Sequence, residues 1–529
     1  MTVDESADPS LVSSYDELPY IRRAFPQTHP DRLAATATLF GLEPRSPQRC
    51  RVLELGCATG ATLIPFAYYL PESEFIGVDL SRQQVAVGQA FVANLGLTNL
   101  QLHAMNLRDV PPGWGTFDYV ICHGVYSWVP PEIQDCILAL CACHLAPHGV
   151  AFVSYNTLPG WQLGAGLREL SLLRVGGLHD LHERLQAARA FWELIPQDLA
   201  RLRSPVREAL GSYLNQLAEQ PDGYVSHELL EDANEPVYFH EFMARTARHG
   251  LQFLAEATVT QTAQFLLPGE GPSNPDPPPE DVTFAEQYLD ILLNRGFRQT
   301  LLCPASAPVR RRVTPERLAS LYLATPVKPA PAAAGNATAV FETARGERLA
   351  VPFALAQAAL EVLGSRWPEG TVWPDLLERA RAVIEAEPAR FAAFPLGSLD
   401  RLGQFLLDAV IAGRVDVRTY APQATLALPE RPRLHALARA EAEVDIGPST
   451  PFRDHFPLTP LTRAILLALD GDTEPVQLGE RLWAAASRGT LGEKFRVLAE
   501  NNPDFLRQHL AQEQDRTLRL AAQNGLYTQ

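Results

Sequence analysis

Between residues 50 and 160 the chain passes repeatedly from a short apolar run to a segment of helical periodicity, and this alternation narrows its possible folds more than any other feature. "CRVLELG" is strand-like and "TLIPFAYYL" offers a helix face; "EFIGVDLS" is a second strand and "SRQQVAVGQAFVANLGL" a helix ended by Gly96. "LQLHAMNL" reads as a third strand, "FDYVICHGVYSWV" begins as a fourth, "PEIQDCILALCACHL" is a helix, and "GVAFVSYNT" is a fifth strand. Repeated strand–helix units imply a parallel sheet with helices on both faces. In such a sheet ligands lie over the carboxyl ends of the strands.

From about 162 to 222 strand signals vanish, and "LRELSLLRV", "HERLQAARAFWELI" and "PVREALGSYLNQLAE" carry apolar residues at helical spacing. Sheet signals then return in "LQFLAEATV" and "FRQTLLCPA", separated by the Pro/Gly-rich loop "PGEGPSNPDPPPED" and a helix. "ATPVKPAPAAAGNATA" (324–339) has the composition of a semi-rigid linker, and helices leading to a short strand beyond it suggest a small winged-helix module. At 529 residues about three domains are expected. The net charge of −16 disfavours a nucleic-acid partner, which requires a basic face; the strip "VRRRVTPER" reads as a solvated linker. No apolar run is long enough for a transmembrane helix, no export signal is visible, and seven irregularly spaced cysteines fit free thiols in the cytoplasm. No metal-ligand spacing occurs.

The turn after the first strand, "VLELGCATGATL", sets the ligand question. A strand entering a helix through glycines aims unpaired helix N–H groups at whatever lies above it. The dinucleotide fingerprint Gly-x-Gly-x-x-Gly is absent. Gly56 and Gly60 stand four apart around Cys57, Ala58 and Thr59, and Glu54 precedes the first glycine by two. That arrangement suits a ligand with an amino group and a carboxylate better than a pyrophosphate. Asp79, followed by Leu80, ends the second strand, where a carboxylate can accept both ribose hydroxyls. Asn106, followed by Leu107, comes after the third, where an amide can reach an adenine edge, and His123-Gly124-Val125-Tyr126 ends the fourth. Each also has a plain structural role: Asp79 or Asn106 as a cap or turn residue, Cys57 as a small buried hydrophobe. Four such roles in order on successive strands are less probable than one ligand.

This set resembles the class I S-adenosylmethionine-dependent methyltransferases, whose first motif, Glu-x-Gly-x-Gly-x-Gly, is matched by Glu54, Gly56 and Gly60 with Ala58 at the middle glycine. The resemblance implies S-adenosyl-L-methionine as cofactor, Asp79 as the ribose acid, and Glu54, Gly56, Cys57, Ala58, Gly60, Asp79, Leu80, Asn106, Leu107 and His123 as its contacts. "SYDELPYIRRAFPQTHPDRLAATATLFGL" (14–42), "HGVYSWVP" (123–130) and "HELLEDANEPVYFHEFMARTARHGLQFLAEA" (227–257) resemble methyltransferases with a methyltransferase regulatory domain, among them bacterial protein-lysine methyltransferases acting on outer-membrane proteins. The fold expected is α/β, a Rossmann-like class I sheet with a helical insertion and C-terminal α+β, winged-helix-like modules.

A class I sheet needs two strands after the fifth, and "LQFLAEATV" and "FRQTLLCPA" supply them, so the "regulatory" segment is expected to complete the catalytic sheet. The organisation expected is a lid segment (1–44), a methyltransferase domain (45–160 with 236–305), a helical insertion (161–235) suited to a homodimer contact or a substrate wall, a linker and middle domain (306–430), and a C-terminal domain (431–529). For an amine acceptor, Tyr126 and Trp128, with Tyr155 and Asn156 after the fifth strand, would line an apolar slot that favours the neutral amine. Tyr15 and Tyr20 would close over it, and His123 is either a base or a structural histidine. Three classes remain at this level: a protein-lysine methyltransferase with a protein or peptide substrate, a small-molecule methyltransferase, and a donor-binding interaction protein.

Overall fold

Seven strands form one sheet in the computed structural model, which describes residues 23–201, 206–231, 233–262, 281–331, 339–343 and 346–528. They are β1 (Arg51–Leu55), β2 (Glu74–Asp79), β3 (Leu100–Ala104), β4 (Phe117–Cys122), β5 (Leu145–Asn156), β6 (Leu251–Glu256) and β7 (Phe297–Pro304), ordered β3-β2-β1-β4-β5-β7-β6. The first five pair in parallel, and β7 runs antiparallel to both β5 and β6. The sheet signals read after residue 250 therefore belong to this sheet, with β7 wedged between β5 and the edge strand β6.

β1 and β4 are buried along nearly their whole length because both faces of the sheet are covered. Alternate residues enter two cores. Val52, Tyr119 and Phe152 face one with Leu33, Phe40 and Phe66, while Leu53, Val120 and Val153 face the other with Ile137, Leu138 and Phe242. The helix Arg82–Leu95 begins on the Ser81 side chain, which accepts the Gln84 N–H, and stops at Gly96, whose φ of +66° lies in the left-handed region that glycine occupies without strain.

The insertion after β5 is helical, as its periodicity requires: Gln162–Val175, Leu181–Trp192, Ile195–Arg201, Arg207–Ala218 and Asp222–Leu229. Leu167, Val175, Leu185, Trp192, Leu214, Val225 and Leu229 give it a core of its own.

The segment 324–339, expected as a linker, is instead partly built into structure. Thr325 and Val327 are buried, Thr325 Oγ1 donates to the Arg414 carbonyl at 2.7 Å, and β9 (Lys328–Ala330) pairs with β10 (Ala339–Glu342), itself paired with β11 (Arg348–Val351). Pro329 is tolerated because β9 is an edge strand, where one missing N–H costs little. Residues 332–338 lie outside the described set. A second antiparallel sheet joins β8 (Tyr322–Ala324), β12 (Thr371–Val372) and β13 (Asp416–Arg418). Its helices, Ala354–Arg366 and Leu399–Ile411 among them, share one continuous core with a face of the seven-stranded sheet.

The C-terminal part reaches back to the N-terminal one. Asp31 Oδ1 accepts both the N–H and the hydroxyl of Thr419 at 2.6 Å, and its Oδ2 lies 3.3 Å from the buried guanidinium of Arg453. The Tyr69 hydroxyl donates to the Ser449 carbonyl at 2.7 Å, and His455 Nε2 donates to the Ala24 carbonyl at 2.6 Å.

Candidate active site

The turn after β1 has the backbone a close-approaching ligand needs. Gly56 and Gly60 have φ of +79° and +70°. A Cβ on Gly56 would lie 2.3 Å from Val125 Cγ2, and one on Gly60 2.9 Å from Leu102 Cδ1, so both positions exclude a side chain. Ala58 takes φ +49° where the motif's middle glycine would stand, a left-handed conformation that costs alanine about 1 kcal/mol. Its N–H donates to Asp79 Oδ2 at 2.7 Å, and the Ser81 N–H donates to Asp79 Oδ1 at 2.9 Å, so the acid at the end of β2 is oriented by two backbone donors. Leu80 beside it is 43 % exposed, an apolar surface at the strand end. Cys57 is buried against Gly77, as its reading as a small hydrophobe anticipates. Asn106 accepts the Arg108 N–H at 3.0 Å and caps the short turn Leu107–Asp109; the partly buried Leu107 opens that turn.

Glu54 is buried, and its Oε2 has no hydrogen-bond partner among the described residues. Burial pushes its carboxyl up to about 8, against a smaller opposing effect of Thr62, and the charge of Asp79 pushes it further in the same direction. An orphaned buried carboxyl oxygen beside a glycine turn fits a ligand bearing an ammonium group.

His123 follows β4. Its Nδ1 lies 2.8 Å from Ser154 Oγ, and the same oxygen accepts the Gly124 N–H at 2.8 Å. The pairing that uses the Ser154 proton leaves the ring N–H on Nε2. Phe25 packs edge-on against the ring with centroids 4.2 Å apart, placing the described N-terminal segment over this strand end. Desolvation lowers His123 to about 4, and the charge of Arg23 adds to it, so the ring is neutral at pH 7.

The aromatic residues divide differently from expectation. Tyr155 does not line a slot: its ring stacks on Phe242 at 4.2 Å and its hydroxyl pairs with Thr300 Oγ1 at 3.1 Å within the core. Tyr126 is likewise buried, edge-on to Phe242. Tyr155, within β5, and Tyr126, at the start of the short turn Tyr126–Trp128, both fall on the face of the sheet covered by Phe242. Trp128 remains half-buried and meets Trp161 at 6.4 Å, their rings nearly perpendicular. Asn156 stands beside them at the end of β5, its N–H donating to Ser127 Oγ at 2.8 Å. Tyr15 and Tyr20 lie outside the described residues.

Phe25, Ser127, Ser154, Trp161 and Asn234 escaped the sequence reading. Ser127 and Asn234 in loops and Ser154 within β5 carry no motif signal, and Trp161 became legible only once the insertion was folded back onto the strand ends. The cis bond between Leu158 and Pro159 occurs within that return.

Comparison with known proteins agrees with this geometry. Residues 52–149 match a methyltransferase domain, and residues 221–304 match a predicted methyltransferase regulatory domain. An uncharacterized protein of Rickettsia prowazekii is 37 % identical over 299 residues, 56 % of this chain and 54 % of the relative, so the match takes in about half of that relative's length. A second from the same organism is 36 % identical over 241 residues, 46 % of this chain and 96 % of the relative. The structure of PKMT2 from Rickettsia typhi in complex with AdoHcy superposes with a TM-score of 0.80 at 26 % identity, covering 96 % of this chain and 100 % of that one. The sheet order, the glycine turn and these likenesses lead to one assignment: the chain belongs to the S-adenosylmethionine-dependent methyltransferases that carry a methyltransferase regulatory domain.

Proposed function

We propose that the protein transfers the methyl group of S-adenosyl-L-methionine to a lysine side-chain amine of a protein or peptide in the cytoplasm. The observation that carries this reading is the corner of Trp128 and Trp161 at the ends of β4 and β5, next to the donor turn. The likeness to PKMT2 and the resemblance to protein-lysine methyltransferases support the same acceptor class.

In this reading Glu54 faces the ammonium group of the donor, and Gly56, Ala58 and Gly60 let the backbone approach it. Asp79 takes the ribose hydroxyls, with Leu80, Asn106 and Leu107 along the adenine. The donor supplies an activated methyl group on sulfur, which leaves alignment and exclusion of water as the work of the protein. The acceptor nitrogen must lose its proton before attack, and apolar aromatic walls favour the neutral amine by making its charged form costly. His123 is held neutral beside Ser154, and in this reading it orients a partner rather than taking the proton.

The test is transfer of labelled methyl from the donor into a lysate separated into macromolecular and small-molecule fractions. Label in a protein, released as methylated lysine on hydrolysis, is the expected result. Label confined to small molecules would replace this reading with small-molecule methylation, and donor binding without any labelling would leave an interaction protein.

A further inference from the structure

Two side-chain amides beside the tryptophan corner have buried nitrogens without a hydrogen-bond partner among the described residues. Asn156 is only 3 % exposed, and its Nδ2 is unpaired; the Nδ2 of Asn234 is likewise buried and unpaired. The orientation of Asn234 is fixed by chemistry. Trp161 Nε1 carries a hydrogen and can only donate, and it lies 2.8 Å from Asn234 Oδ1, so the other end of that amide is an NH2 group.

Both residues sit on stiff backbone. The segments that carry them pair in parallel at Thr157 and Val237; the Val237 N–H donates to the Asn156 carbonyl at 3.2 Å, and Thr157 Oγ1 donates to the Val237 carbonyl at 2.9 Å. Ser127, from the loop after β4, fastens both. Its Oγ accepts the Asn156 N–H at 2.8 Å, and its carbonyl accepts the Glu235 N–H at 2.7 Å. Buried donors held this firmly without a partner are costly to the fold and mark an absent acceptor atom.

We propose that Asn156 and Asn234 form a clamp for the main chain of the acceptor, donating to peptide carbonyl groups next to the lysine whose amine enters the Trp128–Trp161 corner. This rests on the amine-methylating reading given above and adds to it that the substrate is recognised as polypeptide. An alkyl amine offers nothing for an NH2 donor except the lone pair it needs for attack, whereas each peptide unit carries a carbonyl with two acceptor sites. A free amino acid would offer a carboxylate instead, and the experiment separates these two sources.

Full-length protein saturated with AdoHcy is titrated calorimetrically with N-acetyl-lysine N-methylamide, free lysine and n-butylamine. The diamide is expected to bind at least about tenfold more tightly than n-butylamine, since two hydrogen bonds distinguish them. Asn234→Ala and Asn156→Ala should each remove most of that preference while AdoHcy affinity stays unchanged. Trp161→Phe removes the N–H that orients Asn234 as well as part of the corner wall, and it should weaken the diamide by a larger factor than n-butylamine, which senses the corner alone. Equal binding of diamide and n-butylamine by the unaltered protein overturns the clamp and leaves amine methylation standing. Tighter binding of free lysine than of the diamide assigns the donors to a carboxylate and overturns polypeptide recognition. Binding of none of the three overturns the amine reading together with the clamp.

Discussion

Arg298 forks onto Asp290, its Nε and Nη2 donating to the two carboxylate oxygens at 2.9 and 2.8 Å. The same guanidinium reaches Glu256 at 2.5 Å and Glu286 at 3.1 Å and lies over the Phe239 ring at 4.0 Å. One buried arginine thereby joins β7, β6 and the helix Val282–Leu293, all within the segment matched as regulatory. The chain of bonds continues from Glu256 through Thr300 to the Tyr155 hydroxyl on β5. Arg298→Met would leave three buried carboxylates without their shared cation. A loss of about 3–5 kcal/mol in urea denaturation is expected. A change below about 1 kcal/mol would show that the network does not hold the sheet.

We propose that the methyltransferase domain is discontinuous, composed of 45–160 and 236–305. A fragment ending at residue 160 lacks β6 and β7 and bares β5 from Ala151 to Asn156 as an edge. It should aggregate or remain molten, with no sharp near-ultraviolet dichroism. A monomeric fragment that unfolds cooperatively would refute the division.

Asp79→Ala removes a carboxylate that two backbone donors hold in place and that we propose takes the ribose hydroxyls. Loss of charge-assisted hydrogen bonds of this kind costs about 2–3 kcal/mol, or about a hundredfold in donor affinity. Calorimetry with the donor product measures it directly, and unchanged affinity would take Asp79 out of the site.

Glu54 gives donor binding a pH dependence. Its carboxyl stands at about 8 in the free protein, and an ammonium partner favours the ionised form, so binding lowers that value and releases a proton. Affinity should rise with pH, by about tenfold between pH 6 and 7, and level off as the pH approaches 8. Glu54→Gln should flatten the curve. A slope that persists in the variant would assign the proton to another group.

His123 acts in the opposite pH range. Its folded value of about 4 lies below the usual 6.5, so the unfolded chain binds the extra proton first. The stability tied to its neutral ring is complete above pH 6.5 and declines as the pH falls towards 4. His435, also lowered to about 4 by burial, adds to the same decline. His123→Gln should reduce the loss of melting temperature between pH 7 and 5, and it should leave the acid limb of the methylation pH profile in place. Disappearance of that limb would make His123 the base.

The residues around Gly56 show how much of the site is local. A glycine turn after an apolar strand, an acid ending the next strand and an amide after the third are fixed by positions a few residues apart, and each strand end places its residue on the same rim. The placing of these residues along one rim was legible for that reason, and the resemblance to class I sheets placed "LQFLAEATV" and "FRQTLLCPA" in the sheet. Tyr155 and Trp161 show where local reading stops. Which face of a strand end carries the acceptor depends on what packs there, and Phe242, 87 residues along the chain from Tyr155, decides it. The Trp161 N–H and the Asn234 side-chain oxygen meet only because the insertion folds back across β5. Pro329 joins a strand because β10 offers it an edge. Sequence spacing determined the turn, the caps and the periodicity, all governed by neighbours within about two turns of helix. Burial, side-chain pairing and the shape of the tryptophan corner were decided by long-range packing, which fixes the environment of a residue through partners that its own stretch of sequence does not contain.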